Sequence, residues 1–250
     1  MTGRNSSTPQ FNRRNLLAIA AVGAASAALS ACTTSRAPLR RVVAVEPAID
    51  RSLLGYQRMY GTVVDDGFTI PAVPIEKVDP RFYRQVVADP TGEAPGTVVV
   101  DTANHFLYLV RENGEAMRYG VGLGREGFEW SGRGVIQWKQ KWPRWFPPDE
   151  MIDREPELEE YRARQIPGTN EYEGGMQPGI NNPLGARAHY IFQDGKDTLY
   201  RVHGSPEWAS IGKSVSSGCV RLMNQDIIDL YDRVAEGSPI MVTSGLTFVG

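Results

Sequence analysis

A cysteine and a histidine near the C-terminal end of the chain have the residue types and setting that acyl transfer requires. Cys219 lies in the run Ser216-Ser217-Gly218-Cys219-Val220-Arg221, and His203 precedes it by sixteen residues at the end of a predicted strand. A cysteine on a glycine turn leaves room for a substrate carbonyl and presents nearby backbone N–H groups to it. A thiol with an ordinary pKa of about 8.5 is mostly protonated at pH 7, so it needs a base to activate it. The pattern predicts a Cys–His site that forms and resolves an acyl-thioester.

Other classes of chemistry fit these residues less well. The three histidines and two cysteines offer no H-x-x-x-H or C-x-x-C spacing, so neither a metal site nor a dithiol redox site is predicted. A papain-like protease would place its cysteine well before its histidine, which is the reverse of this order. His105, in a predicted hairpin turn, and His189, within a predicted strand, are assigned structural roles. No cofactor is required.

Short β-strands between glycines must position the Cys–His pair. A composition with 26 Gly and 17 Pro favours many turns over a helical bundle. One helix is clear: Asn224 is its predicted N-cap, and an apolar stripe runs from Gln225 to Ala235 before Gly237. The predicted body is mainly β with one or two packed helices, and its strands lie at residues 97–101, 106–110, 116–121, 134–139, 186–192, 199–203 and 240–244.

Residues 1–31 have the composition of an export signal. Arg13-Arg14 precedes an Ala-rich apolar run and resembles the twin-arginine signal of bacteria. The run ends in Leu29-Ser30-Ala31-Cys32, which resembles a lipobox at which Cys32 is lipidated; an ordinary signal cut near Ala31 is the alternative. We therefore expect a periplasmic protein that is anchored as a lipoprotein to the outer membrane.

Two further segments complete the predicted organisation. Residues 32–92 contain six prolines and one short predicted helix at 49–60, so they are interpreted as a lipid-anchored tether or N-terminal arm. The catalytic domain then spans 93–250. Within it, residues 138–182 form an aromatic, proline-rich insertion that is too long for an ordinary loop. Its aromatic residues include Trp138, Trp142, Trp145 and Phe146. This insertion is either a lid or groove wall for an extended substrate or a surface segment whose tryptophans complete the core.

Charge and hydropathy exclude two broad classes of protein. With 27 Lys and Arg against 29 Asp and Glu, the chain lacks the basic excess of a nucleic-acid-binding protein. Outside the N-terminus no apolar run reaches the roughly 18 residues of a membrane span, so a polytopic membrane protein is excluded. The lipid anchor is the one membrane contact that we expect.

The sequence around the Cys–His pair resembles a known enzyme family. His203-Gly204 followed by Ser216-Ser217-Gly218-Cys219-Val220-Arg221 is similar to the signature of the bacterial L,D-transpeptidases, cysteine enzymes that cross-link peptidoglycan. The likeness extends from about Gly96 to Val242 and includes Asn182-Pro183-Leu184-Gly185 and Ile211-Gly212-Lys213. It implies the β-sandwich-like catalytic domain of that family, which agrees with the strand pattern.

The resemblance also implies roles for individual residues. Cys219 is the expected nucleophile, His203 the general base and acid, and backbone N–H groups around Gly218 and Cys219 the oxyanion hole. Many members carry a second histidine two residues before the cysteine, where this chain has Ser217, so Ser217 is expected only to support the site by hydrogen bonding. Substrate binding is expected of three residues: Arg221, Gly204 and Ser205.

The implied reaction is acyl transfer on the tetrapeptide stems of peptidoglycan. The thiol attacks the carbonyl at the L-centre of the diamino acid, the terminal D-alanine leaves, and an amine takes the acyl group. A second stem as acceptor gives a 3→3 cross-link, and the C-terminal lysine of a lipoprotein gives a wall-anchored protein. Water as acceptor would make the enzyme a carboxypeptidase or an amidase. A non-catalytic peptidoglycan-binding lipoprotein is the alternative from another class.

Overall fold

The computed structural model describes residues 48–124, 130–216, 218–244 and 246. The predicted export signal at 1–31, the predicted lipidation site Cys32 and the predicted supporting residue Ser217 lie outside these residues. Within the described part of the chain, no helix is both long enough and apolar enough to cross a membrane.

The described residues form three α-helices and fifteen strands, joined by turns and short 3₁₀ segments. The helices are α1 (Leu53–Met59), α2 (Asp149–Arg154) and α3 (Asn224–Arg233). The strands are β1 (Val63–Asp65), β2 (Phe68–Ile70), β3 (Gln85–Ala88), β4 (Val98–Asp101), β5 (Phe106–Val110), β6 (Glu115–Gly120), β7 (Leu123–Gly124), β8 (Gly132–Lys141), β9 (Arg164–Gln165), β10 (Tyr172–Glu173), β11 (Arg187–Gln193), β12 (Lys196–Ser205), β13 (Ser214–Ser216), β14 (Val220–Met223) and β15 (Ser238–Thr243).

Nine strands form one mixed sheet in the order β14-β12-β11-β8-β15-β4-β5-β6-β3. The pairs β12–β14 and β15–β4 run parallel, and the other pairs run antiparallel. Side chains from distant strands of this order, such as Leu222 of β14 and Tyr119 of β6, share one buried cluster with Ile227 of α3. The sheet therefore curves over its own core, and the predicted mainly β, sandwich-like architecture is confirmed.

Each predicted strand is present close to its predicted position. The predicted C-terminal helix is also present, but its N-cap residue differs from the predicted one. Helix α3 begins at Asn224, and its N-cap residue is Met223. The prediction of Asn224 as N-cap is wrong because its side chain is used elsewhere: Oδ1 accepts the Ala186 N–H at 2.9 Å. This hydrogen bond ties the start of the helix to the segment that enters β11.

Residues 48–92, which the sequence predicts to be a tether, pack against the rest of the body. The helix predicted at 49–60 is present as α1, and β3 pairs with β6 at the edge of the sheet. Tyr60 is fully buried, and its hydroxyl donates to Asp226 of α3 at 3.1 Å. Arg84 forms an ion pair with Asp229 of the same helix at 3.1 Å. The prolines here separate short packed elements, and residues 48–92 belong to the same compact unit as the predicted catalytic domain.

The insertion begins later than the predicted residue 138. Trp138 belongs to β8 and lies opposite Tyr190 of β11, so the chain leaves the sheet only after Lys141. Trp142 is buried and packs against Phe68 at a ring-centroid distance of 4.2 Å. Part of the insertion therefore completes a small core, as one of the two interpretations predicts.

Candidate active site

Two neighbouring parallel strands bring the predicted nucleophile and base together. His203 of β12 lies opposite Arg221 of β14. Cys219 immediately precedes β14, and the backbone N–H of Arg201 donates to its sulfur. Because side chains alternate along a strand, positions 201 and 203 share a sheet face with positions 219 and 221. The sheet thus places the cysteine and the histidine on one face although sixteen positions separate them in the chain.

Gly218 shapes the turn before the cysteine. Its φ is +123°, a backbone conformation that residues with side chains rarely adopt. A Cβ at this position would meet no atom within 4 Å. The turn therefore needs glycine for its backbone conformation and not to avoid a steric clash.

Cys219 and His203 line one cleft of about 420 Å³, a volume within the usual range of about 300–1,000 Å³ for small-ligand sites. Arg221, Glu207 and Val215 line it as well. The interpretation of the insertion as a groove wall is supported by Trp145, which lines the cleft. The sequence did not indicate Met151 and Met176, because isolated apolar side chains in an irregular segment carry no periodic signal. The insertion supplies a whole wall of the cleft: Trp145, Pro148, Met151, Glu155, Leu158 and Met176.

His203 is a neutral base at physiological pH. It is 3% exposed, and its Nδ1 lies 2.5 Å from the carbonyl oxygen of Gly204. A carbonyl only accepts, so Nδ1 carries the proton and Nε2 keeps its lone pair. Burial lowers the pKa of His203 to about 4, the positive charges of Arg221 and Arg201 act in the same direction, and the Gly204 carbonyl opposes them. The imidazole is therefore uncharged at neutral pH and able to take a proton.

Cys219 is a protonated thiol at the same pH. Burial raises its pKa above the ordinary value, while the Arg201 N–H and the positive charges of Arg201 and Arg221 oppose the rise. With the cysteine pKa raised and the histidine pKa lowered, the pair does not exist as a thiolate and an imidazolium before reaction. An attack by this sulfur would therefore require its proton to move to the imidazole at the same time.

The three predicted substrate-binding residues occupy different places. Arg221 lines the cleft, and its Nη1 donates to Oε2 of Glu207 at 2.8 Å. Gly204 lies behind the histidine, where a Cβ would fall 2.4 Å from Oδ1 of Asn224. Ser205 is buried, its Oγ accepts the Glu207 N–H at 3.0 Å, and it lines a separate cavity of about 280 Å³. Of these three residues, Arg221 lines the cleft, whereas Gly204 and Ser205 do not line it and contact other parts of the fold.

The other two histidines lie away from the cleft. His105 Nε2 is 3.0 Å from the Ser214 hydroxyl. His189 is fully buried beside Tyr231 of α3, and burial lowers its pKa to about 3. Over the described ranges, no three His, Cys, Asp or Glu side chains converge on a point where they could hold a metal ion.

Part of the chain matches known proteins. Residues 95–242 match the YkuD family model, described as an L,D-transpeptidase catalytic domain. The chain is 30% identical over 150 residues to the probable L,D-transpeptidase ErfK/SrfK of Escherichia coli K12, a match that covers 58% of this chain and 43% of that protein. It is 29% identical over 183 residues to the probable L,D-transpeptidase YbiS of the same organism, covering 72% and 51%. The chain thus spans about half, or less, of the length of these curated relatives.

A solved structure is also similar to this chain. It is the crystal structure of a probable carnitine operon oxidoreductase caia from Brucella melitensis, with 44% sequence identity and a TM-score of 0.44. The match covers 65% of this chain and 94% of that chain. The name describes the Brucella protein and is not carried over to this one.

Proposed function

Since this chain belongs to the YkuD family of L,D-transpeptidase catalytic domains, we propose that it transfers acyl groups from peptidoglycan tetrapeptide stems, with Cys219 as nucleophile and His203 as general base and acid. One observation carries the proposal: both side chains line the same cleft on one face of the sheet. The family supplies the substrate class, and the geometry of the cleft supports the two roles.

The first step forms a thioester. The sulfur of Cys219 attacks the carbonyl carbon at the L-centre of the diamino acid, and the thiol proton passes to Nε2 of His203. Backbone N–H groups at Gly218 and Cys219 stabilise the negative charge on the carbonyl oxygen. The imidazolium then gives its proton to the amine of D-alanine as the C–N bond breaks. Because both groups are neutral beforehand, proton transfer and attack are coupled.

The second step returns the enzyme to its starting state. An acceptor amine attacks the thioester carbonyl and loses its proton to His203, the C–S bond breaks, and the sulfur regains a proton. We propose an amine acceptor, which belongs either to a second stem or to a lipoprotein lysine. Both acceptors present a primary amine to the same thioester, so the steps at Cys219 are identical.

We also propose that the protein acts in the periplasm, lipidated at Cys32 and held at the outer membrane. The basic pair Arg13-Arg14, the apolar run and the Leu29-Ser30-Ala31-Cys32 segment support this location. Metabolic labelling with a fatty-acid probe should mark the wild-type protein and leave Cys32→Ala unlabelled. Equal labelling of the two proteins would contradict lipidation at this residue.

Acylation by a carbapenem, followed by intact-protein mass, tests the two catalytic roles. The wild type should gain one adduct, and Cys219→Ala should gain none. His203→Asn should react at least about 100-fold more slowly, the low end of the range for a lost general base. His105→Asn is the matched control, since asparagine tolerates the positive φ of +58° at that position; it should react like the wild type. An adduct on Cys219→Ala, or an undiminished rate in His203→Asn, would overturn the assignment.

Turnover of purified tetrapeptide stems tests the reaction itself. Release of D-alanine together with an amine-linked product supports the transferase. Release of D-alanine with hydrolysed stem alone would make the protein a hydrolase, and stem binding without release would make it a binding protein.

A further inference from the structure

A row of four side chains leads away from the nucleophile along the open face of the sheet. Cys219 directly precedes Val220, which lies opposite Val202 of β12, and its sulfur accepts the backbone N–H of Arg201. Arg201 lies opposite Tyr190 of β11, and Tyr190 lies opposite Trp138 of β8. Neighbouring strands are about 4.8 Å apart, so three spacings place Trp138 about 14 Å from the sulfur. The row is therefore continuous with the reaction centre but extends well beyond the cleft.

The members of this row are held against one another. The rings of Trp138 and Tyr190 stack at a centroid distance of 4.1 Å and an interplanar angle of 29°. The guanidinium of Arg201 lies 4.4 Å from the centre of the Tyr190 ring, and two hydrogen bonds of 2.7 Å to Asp197 hold it there. The Tyr190 hydroxyl donates to Oε1 of Gln140 at 3.1 Å. These contacts fix the aromatic pair and place polar groups at its edge.

Core packing does not account for Trp138. Its exposed fraction is 47%, which is high for a tryptophan held in a stack on a sheet. The comparable pair, Trp130 and Tyr200, lies on the other face and packs against the main core. A rigid, solvent-exposed aromatic pair with polar groups at its rim suits a pyranose ring, because the C–H face of the sugar covers the indole and the hydroxyls meet the polar edge.

We propose that Trp138 and Tyr190 form a subsite for the N-acetylated pyranose that carries the donor stem. The inference rests on the proposed function, which places the scissile carbonyl of the stem at Cys219. Three stem residues separate that carbonyl from the sugar, and three residues span at most about 11 Å. The link between the peptide and the ring adds further length. The sugar of a stem laid along the row therefore arrives at its aromatic end.

Calorimetric binding to the full chain carrying Cys219→Ala tests the subsite without any need for turnover. The two ligands are a disaccharide–tetrapeptide and the same tetrapeptide without sugar. The sugar-bearing ligand should bind ~10-fold more tightly, the scale of one aromatic contact. Adding Trp138→Ala should abolish this preference. Trp130→Ala is the matched control, because it removes a tryptophan from the aromatic pair on the opposite face. It should leave the ratio of the two affinities unchanged.

Several results would overturn the subsite. The first is equal affinity of the Cys219→Ala chain for the disaccharide–tetrapeptide and the tetrapeptide. The second is an affinity ratio between these ligands that is unchanged by Trp138→Ala. Weakening of both ligands to the same extent by Trp138→Ala would show that the row contacts peptide and not sugar. Trp138→Leu keeps apolar volume but cannot stack, so it replaces the alanine variant if that variant fails to fold. If the wild type failed to release D-alanine from tetrapeptide stems, the proposed function would be wrong. The ratio of the two affinities is measured without turnover, so it would still decide whether the subsite binds sugar.

Discussion

Asn182 holds the wall of the cleft that the insertion provides, and we expect its replacement to weaken both the fold and the reaction. The side chain is 1% exposed. Its Nδ2 lies 3.1, 3.3 and 3.1 Å from the carbonyl oxygens of Pro143, Met176 and Gln177, and its Oδ1 accepts the Leu184 N–H at 2.9 Å. The beginning and the end of the insertion therefore meet at one side chain.

The expected loss in the free energy of unfolding for Asn182→Ala is about 3 kcal/mol. A side-chain amide has two N–H groups, so the three carbonyls share two donated hydrogen bonds, and the accepted bond is a third. At about 1 kcal/mol each these sum to about 3 kcal/mol, and carbonyls left buried without a donor add to the cost. Asn182→Asp should be less stable than Asn182→Ala at neutral pH, because a carboxylate cannot donate to the carbonyl oxygens that it would face.

Urea unfolding of these variants would measure the loss, with Asn181→Ala as the matched control. Asn181 is adjacent and exposed, so its replacement should change stability by no more than about 0.5 kcal/mol. The carbapenem acylation rate of the same proteins tests the link to function: both Asn182 variants should react more slowly, and Asn181→Ala should not. A loss below about 1 kcal/mol for Asn182→Ala, or an aspartate variant as stable as the wild type, would refute the reasoning.

Three further predictions concern electrostatics and backbone conformation. The acid limb of kcat/KM should have its midpoint near pH 4, because the pKa of His203 is about 4 and the base acts only when neutral; a midpoint near the ordinary histidine value of about 6.5 in the pH–rate profile would contradict this. Gly218→Ala should lower kcat by about 5- to 160-fold in steady-state kinetics, because a φ of +123° costs a residue with a side chain about 1–3 kcal/mol and the turn must shift to relieve that strain; full activity would show that the turn accepts a Cβ. Burial raises the pKa of Asp226 to about 7, so ionising this carboxyl costs stability as pH rises through that value. Asp226→Asn should therefore raise Tm, measured by calorimetry, more at pH 8 than at pH 5. An equal change in Tm at the two pH values would contradict the raised pKa of Asp226.

Local patterns in the sequence predicted the candidate Cys219–His203 pair and most of the elements around it. Cys219 beside Gly218 indicates chemistry only in combination with His203-Gly204 and the residues around the cysteine, since a lone cysteine after glycine is not specific. The hairpin of β4 and β5 was predicted because two short apolar runs flank a turn segment, and β11 and β12 were predicted as further short strands of the same body. Helix α3 was predicted from its apolar stripe, although a tertiary hydrogen bond decided its first residue.

Other elements carry no sufficient local signal. β13 and β14 have three and four residues, too few for a periodicity, and they are strands because β7 and β12 pair with them. The prolines of residues 48–92 argue locally against regular structure. Tyr60 and Arg84 nevertheless find their partners on α3, far along the chain.

The sequence by itself identified the candidate reactive residues and the segments that prefer to be strands, because residue chemistry and short apolar runs between turn residues are properties of a few neighbouring positions. Only the tertiary structure decided that Cys219 and His203 face one cleft, that Arg221 lines it while Ser205 does not, and that Trp138 stands in line with the sulfur. These outcomes depend on strand order and register. A shift of one residue in register turns every side chain of a strand to the other face, and the register is set by burial over the whole sheet.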